Sequence, residues 1–165
     1  LNKGIDFARD VGMQMPIITD SGHNEGMRMR DYFGFSNKES QKNNEHLNVL
    51  GQKLEVCSCK PLTGWFRDGY CKYDSNDGGN HSICCIMDDN FLKYSKSQGN
   101  DLITPMPMYS FPGLKDGDHW CICLDRWRQA LLDGLAPMVI LEATNIKVLE
   151  SVSLEKLKEY QFNKK

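Results

Sequence analysis

Long hydrophobic runs are missing from this 165-residue chain. Nothing in it approaches the ~20 consecutive apolar residues of a membrane-spanning helix, which excludes a helical membrane span. An excess of one charge is missing as well. Twenty Lys and Arg stand against 22 Asp and Glu, a net charge of −2, and the basic face or stripe that nucleic-acid binding requires is not there. No internal repeat occurs. No succession of basic, apolar and small residues marks a secretory signal near the start. The first residue is Leu, which fits a processed or trimmed N-terminus, removal of a mitochondrial presequence being one such processing.

What the chain has in quantity is cysteine: seven, at positions 57, 59, 71, 84, 85, 121 and 123. An odd number without a secretory signal reads as free thiols in a reducing compartment, cytoplasmic or mitochondrial, rather than as a disulfide framework. All seven lie in one part of the sequence. Apolar residues number 14 in the first 46 positions and 52 in the remaining 119, and the run SNKESQKNNEH (36–46) contains none. It reads as a solvated linker. Two parts follow: an extended N-terminal arm and linker over 1–46, and a compact domain over 47–165. The arm is too polar and too rich in glycine to close a core of its own. Its scattered Met13, Met15, Phe33 and Phe35 are therefore candidate anchors for a protein partner, a task for which adaptable Met-rich stretches are suited.

Within the domain, SICCIM (82–87), HWCICL (119–124) and MVILEA (138–143) are short runs rich in β-formers and read as buried strands. A helix over 89–98 is expected, with Asp88 as its N-cap and Gly99 just past its end. DRWRQALLDG reads as a second helix, with Trp127, Ala130 and Leu131 on one face and Gly134 as terminator. A third runs through LEKLKEY behind Ser153. Mixed strands and helices joined by long loops make the fold class α+β. Two stretches of about 20 residues, rich in Gly, Pro, Asp and Asn, have no regular pattern, and loops of that length are commonly functional.

Three constellations carry candidate chemistry. Cys121 and Cys123 would share one face of a strand while Trp120, Ile122 and Leu124 line the other. Adding Cys57, Cys71, His81 and Cys84 gives a set of soft ligands that raises zinc as a cofactor, although one-residue spacing bites too tightly for a zinc knuckle. Cysteine also packs as a small hydrophobe, and that reading is preferred. A thiol nucleophile beside His81 is the second case. The third is a polar pocket for a small-molecule ligand, built from Arg67, Asp68, Asn100, Asp101 and Arg126. Arg67 offers a planar fork for a carboxylate or phosphate, but it and its acidic neighbours equally suit the pinning of a loop.

The segments NVLG (48–51), CS (57–58), PLTGWFRDG (61–69), GNDLITP (99–105), FPGLKDGDHWCIC (111–123), RW (126–127) and LEAT (141–144) together resemble the family catalogued as domain of unknown function 2237, found mostly in bacteria. The resemblance spans about 48–160 and implies a small α+β domain with no established activity. It also implies that Cys57, Cys71, Cys84, Cys121, Cys123 and His81 are motif positions, with Cys59 and Cys85 as additions. Tyr70, Asp116 and His119 depart from the residues common in that family, which puts an intact family site in doubt. Residues 1–46 have no counterpart in its short bacterial members. The reading that follows is an accessory or interaction subunit of a larger intracellular assembly, joined through residues 1–46. A ligand-binding or thiol-dependent enzyme and a Cys/His metal-binding domain are the alternatives.

Overall fold

The computed structural model describes residues 46–163. The candidate anchors Met13, Met15, Phe33 and Phe35 lie outside the described residues. Among the described residues, two short strands and three α-helices form a small α+β domain. Strands β1 (Ile83–Ile86) and β2 (His119–Ile122) pair antiparallel, with Ile83 opposite Ile122, Cys84 opposite Cys121 and Cys85 opposite Trp120. Side chains alternate along a strand. Ile83, Cys85, Trp120 and Ile122 accordingly enter the main apolar core, whereas Cys84 and Cys121 point into a second, smaller cluster.

The helices cover the main-core side. Helix α1 (Asp89–Ser97) starts where the Asp88 carboxylate accepts the Phe91 N–H at 2.7 Å, satisfying one of the free donors of the first turn. It buries Phe91, Leu92 and Ser95 and ends before Gly99, whose φ of +91° suits glycine. Helix α2 (Leu124–Leu132) leaves β2 without a loop and buries Leu124, Trp127 and Ala130. The Trp127 indole N–H donates to the Pro137 carbonyl at 3.1 Å, and its ring meets Tyr160 edge-on. Helix α3 (Leu154–Glu159) is capped by Ser153, whose hydroxyl accepts the Lys156 N–H, and it buries Leu157.

Two of the three expected strands do not form as the sequence suggests. β2 ends at Ile122 because Cys123 takes the N-cap position of α2. Cys123 is therefore not a strand partner of Cys121, and the expected same-face pair does not form. MVILEA is not a strand either. The Met138 carbonyl does accept the Ile86 N–H and the Ile140 N–H donates to the Cys84 carbonyl, while Val139 bonds the other way, donating to the Tyr160 carbonyl and accepting the Phe162 N–H. The ladder is one residue wide, because a 3-10 turn begins at Leu141 and folds the Thr144 hydroxyl back onto the Ile140 carbonyl.

Candidate functional site

The second cluster gathers Cys57, Cys71, Cys84 and Cys121 around Ala143. All four cysteines are buried, Cys57 being the most exposed at 5%. They form two disulfides, Cys57–Cys84 and Cys71–Cys121. The expectation of free thiols is thus overturned for four of the seven. The reason is tertiary: the strand register sets Cys84 and Cys121 side by side, and one loop returns Cys57 and Cys71 over the same face. The backbone of each cysteine is held independently of its sulfur. Cys84 N–H donates to the Thr144 hydroxyl, Cys121 N–H to the Thr63 hydroxyl at 2.9 Å, and Cys57 N–H to the Gly69 carbonyl at 2.8 Å. The Asn145 side-chain amide donates to the Cys71 carbonyl.

The remaining cysteines are scattered: Cys59 is exposed, Cys85 and Cys123 buried. Burial, helped by the charge of Asp88, pushes the Cys85 thiol well above its ordinary pKa and makes it a poor nucleophile. His81 is fully buried. Its Nδ1 lies 2.7 Å from Asp77 Oδ1, and its backbone N–H donates to the other carboxylate oxygen. Its Nε2 has no hydrogen-bond partner among the described residues, and the ring lies nearly parallel to the Trp65 indole with centroids 6.3 Å apart. His81 is not in the group of close sulfur ligands formed by Cys57, Cys71 and Cys121.

The two long irregular segments meet across Arg67. Its guanidinium donates to the carbonyls of Gly64 (2.7 Å), Tyr109 (3.2 Å) and Ser110 (3.4 Å) and lies over the Trp120 ring at 5.0 Å. Burial draws its pKa down to about 10, which still leaves it a cation at neutral pH. The turn that aims it depends on Gly64, with φ of +101°, where a Cβ would collide with the Tyr70 carbonyl. On the facing loop Gly113 is constrained in the same way by the Ile103 carbonyl. Between the loops opens a cleft of about 430 Å³, lined by Leu62, Arg67, Pro105, Pro107, Ser110, Phe111 and Pro112. Most of that lining is carbon.

The other pocket candidates lie apart from this cleft. The Asp68 carboxylate accepts the Tyr70 N–H and pairs with Lys72 at 2.7 Å. Asn100 is buried behind α1, its carbonyl accepting the Ser95 hydroxyl. Asp101 closes a turn by accepting the N–H groups of Ile103 and Thr104 and the Thr104 hydroxyl. Its partial burial works against ionisation, but those bonds and the charge of Lys96 together hold its carboxyl below the ordinary value. Arg126 donates to the Gln98 carbonyl and the Gln129 side chain, tying α2 to the end of α1. The structure therefore brings together four of the six candidate cysteine and histidine positions, and only Arg67 of the five pocket residues lines the cleft. Sequence reasoning did not single out the lining residues Leu62, Pro105, Pro107, Phe111 and Pro112. Three prolines within eight positions of a long loop were the available signal. Thr63 and Thr144, whose hydroxyls fix the cysteine-bearing strands, gave no signal of their own.

Residues 47–161 match a protein-family model described as "Uncharacterized protein conserved in bacteria (DUF2237)". A comparison with curated proteins finds no match. Among the described residues, no helix is long and apolar enough to cross a membrane.

Proposed function

The chain belongs to the DUF2237 family, and on that premise we propose that it is a binding subunit of an intracellular protein assembly, mitochondrial or cytoplasmic, whose cleft takes an apolar segment of a protein partner. The cleft between the two long loops carries this reading. Its volume of about 430 Å³ falls in the range of ligand sites, and its walls offer carbon and proline rings rather than convergent polar groups. Arg67 serves as wall and brace, because it spends its donors on the carbonyls of both loops. The lining residue Leu62 is 43% exposed, and Met108, next in the chain to the lining residue Pro107, is 72% exposed. Residues 1–46 supply a second contact with the partner through Met13, Met15, Phe33 and Phe35.

Native mass spectrometry of the gently purified protein tests this reading. A mass for the chain with a stoichiometric protein subunit is expected. Leu62→Glu should release that subunit while the melting temperature stays within about two degrees, since exposed substitutions usually shift stability by no more than ~0.5 kcal/mol. Deleting residues 1–46 should weaken the complex and leave the domain folded. A bare monomer, or a complex indifferent to both changes, would overturn the proposal.

A further inference from the structure

We infer that the buried four-cysteine cluster is a metal site in the reduced chain, where Cys57, Cys71, Cys84 and Cys121 together hold one tetrahedral zinc-type ion. The Sγ atoms of Cys57, Cys71 and Cys121 already lie within 4.8 Å of one another, and that of Cys84 is bonded to Cys57. Four thiolates around zinc at 2.3 Å stand about 3.8 Å apart, so small side-chain rotations carry one arrangement into the other. The backbone does not have to follow. Thr63, Thr144, Asn145 and Gly69 hold the four cysteines by main-chain bonds that involve no sulfur. The tight C-x-C spacing that speaks against zinc in the sequence also drops out. Each pair sends one member to the cluster, Cys57 and Cys121, and leaves Cys59 and Cys123 outside it.

The chemistry of the donors fixes the class of ligand. An all-thiolate, closed, four-coordinate set selects soft or borderline cations over magnesium or calcium. The intracellular setting in which this state would prevail rests on the reading above, because reducing compartments keep thiols reduced. Each disulfide takes two electrons and two protons from one dithiol, which leaves as its own disulfide. The ion then displaces four thiol protons to solvent. Disulfide and metal are alternative occupants of the same four sulfurs.

Cobalt(II) is the probe, added to the full chain after reduction with a water-soluble phosphine. One cobalt per chain is expected, with the ligand-field bands and thiolate-to-cobalt charge transfer of a tetrathiolate centre, all lost on adding zinc. Cys71→Ser and Cys121→Ser should each abolish that signature, whereas Cys59→Ser and Cys123→Ser should keep it. Because a cluster variant can fail to fold, the unsubstituted reduced chain is also melted with and without zinc, and zinc should raise its melting temperature. The inference is overturned by a reduced chain that neither binds cobalt nor responds to zinc. It is equally overturned by a signature that disappears with Cys59 or Cys123, or by an iron–sulfur chromophore in place of a single ion.

Discussion

The two faces of the β1–β2 pair make different use of the same eight residues. One face carries Ile83, Cys85, Trp120 and Ile122 into a core of some 20 buried residues, where helices α1, α2 and α3 add Phe91, Leu92, Trp127 and Leu157. The other carries Cys84 and Cys121 into a cluster of five buried residues, four of them cysteine. The first side has enough apolar area to hold itself together by burial, at roughly 25 cal/mol for each Å² removed from water. The second buries far fewer residues, and two disulfides cross-link it in the oxidised chain. Small clusters under long loops need such a staple for the reason that small domains do.

This contrast can be broken from either side. Trp127→Ala should be the most damaging change. The ring is fully buried and its N–H is bonded to Pro137, so a loss of about 3–5 kcal/mol is expected in denaturant unfolding. On the other face, Cys57→Ala with Cys84→Ala frees a loop with a sequence separation of 27. The loop-closure relation puts that loss at about 3.5 kcal/mol for the oxidised chain. A cost below about 1 kcal/mol would mean that the cysteine face is held by packing after all. The smallest effect belongs to neither face. Asp101, in the long loop, has its carboxyl held below the ordinary value mainly against partial burial, by Thr104, Ile103 and Lys96. The folded state therefore binds fewer protons there than the unfolded chain. Its contribution is present above the ordinary carboxylate range of about 4 and is lost as pH falls through the lower folded value. Asp101→Asn should remove that component, small because solvent screens the group, from the acid side of a stability–pH profile.

The main face was legible in the sequence and the cysteine face was not. Asp88, Gly99, Gly134 and Ser153 act within a few residues of themselves, so the limits of the helices follow from local chemistry. Alternation in HWCI separates Trp120 from Cys121 correctly for the same reason. MVILEA fails because its character is decided at a distance, by single-residue bridges from Val139 to Cys85 and Gln161. The disulfides fail for the same cause. Pairing depends on which cysteines the register and the returning loop bring together, and an odd count of seven hides it. In the cleft, the long loops were recognisable as the place to look. That Arg67 would be spent on three carbonyls, and that Arg126 would brace two helices, required knowing which loop faces which.

The order of the bonded cysteines along the chain has a topological consequence. Cys71 lies inside the loop closed by Cys57–Cys84, and Cys84 lies inside the loop closed by Cys71–Cys121. The two rings are interlaced, so every peptide bond between Cys57 and Cys121 is spanned by at least one bridge. A protease that cuts anywhere in that stretch, including the exposed tip at Ser75 and Asn76, releases nothing. The nicked chain stays one covalent molecule until it meets a reductant.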